Sequence, residues 1–592
     1  MCGFVGEIRL DGEMASLQTV EKMAEVIAAR GPDGYGVFHQ NHIALSHQRL
    51  KIMDLSDHAA QPMVDNELGL VLVFNGAIYN YQELRTELQA KGYHFFSTGD
   101  TEVILKAYHA WGKDCVKRLN GMFAFVVWER DTDRVVMARD RLGIKPLYYQ
   151  ATQNVVRVAS TLPCLLATGD VDTSIDPVAL NYYMSFHAVV PAPHTILNGV
   201  RKLPPATIAE LKPNGTLEME RYWHVNYVHS TADQGRSEED WADEVQEVLT
   251  QAVKRRLVAD VSVGVLLSGG LDSSLIVGLL HELGQRDLQT FSVGFETVGD
   301  EEGNEFKYSD LVAEHYGTRH HRINATHEML LGNLSDCVGA MSEPMVSHDV
   351  IGFYLLSHEV NKHVKVVQSG QGADEVFGGY HWYPPMLDAP AAKAVDTYAD
   401  VFFDRDFADY KNMVASGLVG QDHARQFVTD HFAQDGAEAP VDKAMRLDTH
   451  VMLVDDPVKR VDNMTMAWGL EARVPFLDHT VVELAARIPA EHKLSHGGKG
   501  VLKTVARRLI PHAVIDRPKG YFPVPALKYI EGPYLDMVRD LMTSERAQAR
   551  GVFNMDAIET FMQSPRDHIT RLRGSKLWQM AVLEYWLQEH GL

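Results

Sequence analysis

The sequence predicts a molecule in two parts, an α+β unit rich in strands followed by an α/β unit on a parallel sheet with a helical C-terminal part. Three observations predict it. The 592 residues exceed the ~100–200 of an ordinary domain. Short apolar or alternating runs between turn signals dominate the first 160 positions. Past a polar stretch at 214–240, strand-like and helix-like segments alternate, the rhythm of parallel strands joined by crossover helices. The expected division is a first domain at 1–205, a linker region at 206–240 and a second domain at 241–592.

In the first part, strands are expected at 4–10, 43–46, 68–74, 122–128 and 134–138. A helix over 16–29 sets Leu17, Val20, Met23, Ala24 and Ile27 at helical spacing, and one over 80–91 stops at Gly92. In the second part, 241–257, 275–283 and 310–316 read as helices, and 262–267, 290–295 and 364–368 as strands. Residues 380–457 are mostly helical in pattern, and the last hundred are helical with Pro-rich breaks.

Composition narrows the classes. Lys and Arg number 56 against 79 Asp and Glu, a formal charge of −23, which argues against a nucleic-acid surface. Four cysteines, none in CxxC spacing, exclude a disulfide scaffold and disfavour structural zinc. Apolar runs stay far below the ~20 residues of a membrane span, and no signal-peptide core is visible, so a soluble cytoplasmic protein is expected. The histidines show no HExxH spacing. Acidic runs at 237–243 and 300–305 read as solvated faces or loops.

Cys2 follows the initiator Met1, and its removal would leave a thiol and an α-amine on one residue. An α-amine of pKa ~8 can act as the thiol's general base. Cys2-Gly3-Phe4-Val5-Gly6 is followed in order by Arg30-Gly31-Pro32-Asp33-Gly34, His47-Gln48-Arg49-Leu50, Phe74-Asn75-Gly76 and Gly99-Asp100-Thr101-Glu102. This order resembles the class II glutamine amidotransferases, which are N-terminal-nucleophile hydrolases of αββα fold. The resemblance implies that Cys2 attacks the glutamine amide and that Asn75 and Gly76 donate to the oxyanion. It implies that Arg49 forks the glutamine α-carboxylate and that Asp100 pairs with its α-ammonium. One departure stands out: many members read Asn-Gly-Glu where this chain has Asn75-Gly76-Ala77. The Glu helps hold the ammonium, so either glutamine binds more weakly here or another group compensates.

The run 263–267 leads into Ser268-Gly269-Gly270-Leu271-Asp272-Ser273-Ser274 and a helix. A strand, a Gly-rich turn and a helix N-terminus gather backbone N–H groups at one point, which suits a phosphate, and Asp272 can hold Mg²⁺. The Gly-Lys-Ser/Thr ending of a Walker loop is missing. The loop resembles that of the ATP pyrophosphatases. Ser369-Gly370-Gln371-Gly372-Ala373-Asp374, Asp462-Asn463-Met464, Glu471-Ala472-Arg473-Val474-Pro475-Phe476-Leu477-Asp478, Lys499-Gly500 and Arg517-Pro518-Lys519-Gly520-Tyr521 extend the likeness to glutamine-dependent asparagine synthetases. That resemblance implies ATP and Mg²⁺. Leu267, Val293, Ser369 and Gly370 would border adenosine. Ser268, Gly269, Gly270, Asp272, Ser273 and Ser274 would cradle the pyrophosphate, Asp272 and Asp374 would hold the metal, and Lys499 would neutralise charge on the phosphates. The segment 473–478 is expected to be packing around the site. The family's Ser-Gly-Glu is Ser369-Gly370-Gln371 here, and Gln cannot be a base.

The partners expected are small molecules: glutamine, ATP and a carboxylate acceptor. No nucleic acid or membrane is expected, and a homo-oligomer is compatible with the sequence. Glu343-Pro344-Met345-Val346-Ser347-His348-Asp349 and His381-Trp382-Tyr383-Pro384 look more like the N-acetylglutaminylglutamine amidotransferases than like synthetases acting on aspartate. Three readings compete: amidation of N-acetylglutaminylglutamine, asparagine synthesis, and a catalytically weak binding or regulatory protein.

Overall fold

The computed structural model describes residues 2–296, 303–517 and 525–592. The first part holds twelve strands: β1 (Gly3–Arg9), β2 (Gly34–Gln40), β3 (Ile43–Arg49), β4 (Met63–Asp65), β5 (Leu70–Ile78), β6 (Gly121–Glu129), β7 (Arg134–Arg139), β8 (Tyr148–Ala151), β9 (Val155–Ala159), β10 (Arg201–Lys202), β11 (Thr207–Leu211) and β12 (Leu217–Arg221). They form two six-stranded sheets, ordered β10-β8-β9-β1-β3-β2 and β12-β11-β7-β6-β5-β4. Alternation along β5 shows how they stack. Val71 and Val73 meet Phe4, Ile8, Ile43 and Leu45 of the other sheet. Leu70, Leu72 and Phe74 meet the helices Tyr81–Ala90 and Thr101–Trp111. On the far face, the helix Leu17–Val26 lays Val20, Met23 and Ala24 on Val5 and Ala44. Ser16 caps that helix, accepting from the Thr19 N–H. The order is helix, sheet, sheet, helix.

The region from 206 that reads as linker begins inside the second sheet. β11 pairs with β7, and β12 pairs with β11. Lys212, Asn214 and Gly215 give turn signals because they close a hairpin, and β12 is polar because it is an exposed edge strand.

The second part is built on β13 (Val263–Leu266), β14 (Gln289–Phe295), β15 (Arg319–Ala325), β16 (Val366–Gln368) and β17 (Glu471–Arg473). They form a parallel sheet of order β15-β14-β13-β16-β17. The inner strands are short and apolar because helices cover both faces. Both edges lack that signal: β15 carries Arg319, His320, His321 and Arg322, and β17 is only Glu-Ala-Arg. C-terminal to residue 325 the chain is mostly helical. Two π-helical turns, Asp448–Met452 and Val454–Val458, precede the helix Lys459–Met466, and Pro457, which has no N–H to donate, sits in the second.

The two parts share a buried, charged seam. Arg30 and Lys145 of the first part both bind Asp462 of the second, each at 3.0 Å, and none of the three side chains is more than 6 % exposed. Beside them, Lys202 pairs with Glu343 at 3.0 Å and Asp455 at 2.6 Å, and the Tyr148 hydroxyl donates to Glu343. Arg256 and Arg473 lie over the Tyr79 ring.

Burial works to raise the Asp462 carboxyl pKa, but Arg30 and Lys145 hold it below its ordinary value. A depressed carboxylate stabilises the fold fully above its unfolded pKa of ~3.9, and that contribution is lost as pH falls through the folded value. Asp462→Ala leaves two buried cations unpaired, a loss of about 3–5 kcal/mol. Chemical denaturation at neutral pH should show this destabilisation, and the difference from wild type should shrink on acidification below about pH 4.

Candidate active sites

The first site forms where β1 begins beside β3 and β5. Cys2 is buried, and its backbone N–H donates to Asn75 Oδ1 at 3.2 Å. Asn75 Nδ2 is buried with no hydrogen-bond partner among the described residues, a donor still to be satisfied. Gly76 follows; a Cβ there would sit 2.1 Å from the Met122 carbonyl oxygen, so only glycine lets β5 approach β6 this closely. Burial pushes the Cys2 thiol pKa up, which favours the neutral thiol.

Cys2, Arg49, Gly76, Ala77 and Asp100 line one small pocket. Arg49 is buried, and its two terminal nitrogens donate to the carbonyls of Ser56 and Asp54. Those bonds fix the guanidinium while leaving further N–H groups for a ligand. Asp100 accepts from the Ile78 N–H at 2.9 Å, and burial pushes its carboxyl up to about 6. Two more lining residues come from the second part: Glu471 and Arg473 of β17. Arg473, in the segment expected to pack around the second site, also reaches into this pocket from its three-residue strand. Arg473 donates to Glu471 and, through Nη1, to the carbonyls of Arg256 and Val258. Nothing in Glu-Ala-Arg marks it as a pocket wall, because a contact across a domain seam leaves no local pattern.

The second site is a cavity of about 420 Å³ at the C-terminal ends of β13, β14 and β16. Leu267, Ser268, Gly270, Asp272, Ser273, Val293, Ser369, Gly370, Asp374 and Lys499 all line it. Gly269 and Ser274 do not. Gly269 has a φ of +73° and a Cβ there would lie 2.5 Å from the Ser309 nitrogen, so it shapes the turn. Ser274 is a buried residue of the helix Leu271–Glu282 that follows.

Lys499 is the centre of this cavity. Its ammonium bonds Asp272 at 2.7 Å and Asp374 at 2.9 Å. Burial works to lower its pKa, and the two carboxylates outweigh that and raise it. The approach needs Gly379, where a Cβ would meet Asp374 Oδ1 at 2.0 Å and Lys499 Cε at 2.3 Å. His496, Gly497, Gly498 and Lys499 all have positive φ, a turn in which the two non-glycine residues are strained.

Sequence reasoning left other wall residues without a role. Arg517 and Glu305 form an ion pair at 3.0 Å across the Gly-rich turn, and Arg517 stacks on Tyr308. The motif residues 518–521 and the first half of the acidic run 300–305, through 302, lie outside the described residues. Gln371 and Glu375 share the cavity. Glu375 is buried, accepts from the Tyr380 hydroxyl at 2.7 Å, and is pushed up to about 7 by burial and the charge of Asp374. Asp349, on the wall, pairs with Arg460 at 3.0 Å. Among the described residues, no three His, Cys, Asp or Glu are placed to hold a metal, and no helix is long and apolar enough to cross a membrane. Cys115, Cys164 and Cys337 are buried thiols away from both pockets.

Residues 244–588 match the family model described as asparagine synthase, and residues 1–223 match the glutamine amidotransferase domain. The chain belongs to the asparagine synthase family. It is 30% identical to "Asparagine synthetase [glutamine-hydrolyzing] 1" of Bacillus subtilis (strain 168), over 99% of this chain and 96% of that one. It is 31% identical to a putative glutamine-hydrolysing asparagine synthetase of Mycobacterium bovis, over 99% and 97%. "Amidase chry2" of Gibberella zeae is 27% identical over 95% and 94%. The chain is an asparagine-synthetase-like, glutamine-hydrolysing enzyme. Its first part has the αββα arrangement of N-terminal-nucleophile glutaminases, and its second is the family's parallel-sheet synthetase unit with a helical C-terminal part.

Gly379→Ala would drive a methyl group into Asp374 and Lys499. ATP-dependent pyrophosphate release should fall at least about tenfold, the order expected when a preorganised charge is displaced. Glutamine hydrolysis, measured as glutamate formed, should stay within about twofold, since the two pockets share no residue.

Proposed function

We propose that this enzyme adenylates the carboxylate of N-acetylglutaminylglutamine and converts it to the terminal amide with ammonia drawn from glutamine. The observation that carries the adenylation reading is Lys499 held between Asp272 and Asp374 beside a Gly-rich turn and a helix N-terminus, on one chain with Cys2 and Asn75.

Cys2, once it is the first residue, bears both thiol and α-amine. Its buried thiol is neutral, so attack on the glutamine amide needs a base, and no histidine is among the residues lining the pocket. The α-amine fills that role and then passes the proton to the departing ammonia. Asn75 Nδ2 and the Gly76 N–H stabilise the oxyanion, and the unsatisfied state of Asn75 Nδ2 supports this. Water then releases glutamate from the acyl-enzyme. Arg49 holds the glutamine α-carboxylate and Asp100 its α-ammonium.

At the second site, Leu267, Val293, Ser369 and Gly370 border adenosine, and Ser268, Gly270 and Ser273 cradle the phosphates. The acceptor carboxylate attacks the α-phosphorus of ATP and pyrophosphate leaves. Ammonia then attacks the acyl-adenylate and AMP departs. Asp272 and Asp374 fit Mg²⁺: they are hard oxygen donors already gathered round a cation, with phosphate and water left to complete the ligand set. Bound there, Mg²⁺ would draw charge from the phosphates. Lys499 adds its own positive charge to the departing pyrophosphate.

The acceptor assignment is supported by Asp349. Its carboxyl is engaged by Arg460 and by the Ser347 hydroxyl. The charge it can offer the free α-ammonium of aspartate is thereby shared with Arg460. N-Acetylated dipeptides have no such group to satisfy.

Incubation with ATP, Mg²⁺, glutamine and either acid tests the reading. Pyrophosphate and a terminal amide should form with N-acetylglutaminylglutamine and not with aspartate. Pyrophosphate release with aspartate alone would make the enzyme an asparagine synthetase, and release with neither would leave a regulatory homologue.

A further inference from the structure

We propose that Glu471, carried by β17 of the synthetase unit, is the second carboxylate for the α-ammonium of glutamine in the pocket of the glutaminase unit. The inference rests on the glutaminase reading of Cys2 and extends it by assigning part of glutamine recognition to the other domain.

Glutamine enters as a zwitterion, so its pocket must hold a carboxylate and an ammonium. Arg49 suits the first. For the second, the family's usual Glu is Ala77 here, whose methyl group can hold no cation. That leaves Asp100 on the glutaminase side. It is a weak anion by itself: burial lifts its carboxyl, and the Ile78 N–H already occupies Oδ2. An ammonium desolvated against a single carboxyl that burial biases toward its neutral form is poorly compensated.

Glu471 supplies what is missing. It lines the same pocket as Ala77, Asp100 and Cys2 and is 1 % exposed. Its charge acts on both Asp100 and Cys2. Burial works to neutralise it, but Arg473, two residues on, holds it ionised at about 2. Its position is fixed by pairing with Val366 in β16 and by the Arg473 contact. The lining holds two acidic side chains, Asp100 and Glu471, and two basic ones, Arg49 and Arg473, the charge pattern that a zwitterion needs. The carboxylate that Ala77 lacks is thus supplied from across the seam, and this pocket is complete only when the synthetase unit is docked.

A role as a mere counter-ion for Arg473 makes a different prediction, so the test uses charge removal and relocation in the full-length enzyme. Glu471→Gln keeps size and hydrogen-bonding capacity but removes the charge. It should raise the KM for glutamine at least about tenfold, as losing a charge-assisted hydrogen bond does, with kcat of glutamine hydrolysis within about twofold. Adding Ala77→Glu to Glu471→Gln returns a carboxylate to the pocket from the glutaminase side and should restore KM to within about threefold. Glutaramate, which is glutamine without its α-amino group and so still offers a carboxylate to Arg49, should be hydrolysed equally by wild type and Glu471→Gln. An unchanged KM for glutamine in Glu471→Gln, or a KM that Ala77→Glu leaves raised, overturns the inference while the glutaminase reading stands. A wild type that forms no glutamate from glutamine overturns both.

Discussion

Asp462 is the point on which the arrangement of the two sites depends. One carboxylate accepts from Arg30 and Lys145, and all three are buried. Burying three charged groups is unfavourable unless each is satisfied, so the trio tolerates little displacement. Arg30 also donates to the carbonyl of Cys2, the residue at the heart of the first pocket. The residue after Asp462, Asn463, accepts from the Ser342 N–H, immediately before Glu343 and the acceptor segment. A single turn of the helix Lys459–Met466 therefore joins the first pocket to the segment expected to meet the acceptor.

β17 makes a second, shorter link. Glu471 and Arg473 face the first pocket, and the Arg473 carbonyl accepts from the N–H of Ser369, which lines the second. Three residues of edge strand thus line the first cavity and brace a wall residue of the second. The second cavity carries its own constraint: a turn of four residues with positive φ presents Lys499 to two carboxylates. The strain at His496 and Lys499 is offset by two ion pairs, and Gly379 leaves the space for them.

Much of this was legible along the chain. Strands such as β5 and β6 announce themselves by apolar runs, and the loop from Ser268 to Ser274 by its glycines after a buried strand. Cys2, Asn75 and Arg49 were legible as an ordered set of motifs; Cys2 and Arg49 line one pocket, and Asn75 accepts from the Cys2 N–H. Elements at edges were not. β12 looked like linker because an edge strand is polar, and β15 carries two histidines and two arginines where a strand would be sought among apolar residues. The part played by Glu471 and Arg473 was hidden for another reason. They lie about 470 positions from Cys2, and their contact with its pocket depends on the docking of two units. Lys499, which in sequence resembles a mobile lysine among glycines, is 7 % exposed because the glycines serve a tight turn and not flexibility.

In the proposed reaction, ammonia formed at Cys2 has to reach the acyl-adenylate in the second cavity. Amide synthesis with glutamine carrying heavy nitrogen in its side-chain amide, run in a large excess of unlabelled ammonium, tests this most directly. Transfer within the protein predicts an amide product that keeps the heavy label nearly undiluted. A product whose label matches the diluted bulk ammonia would contradict it.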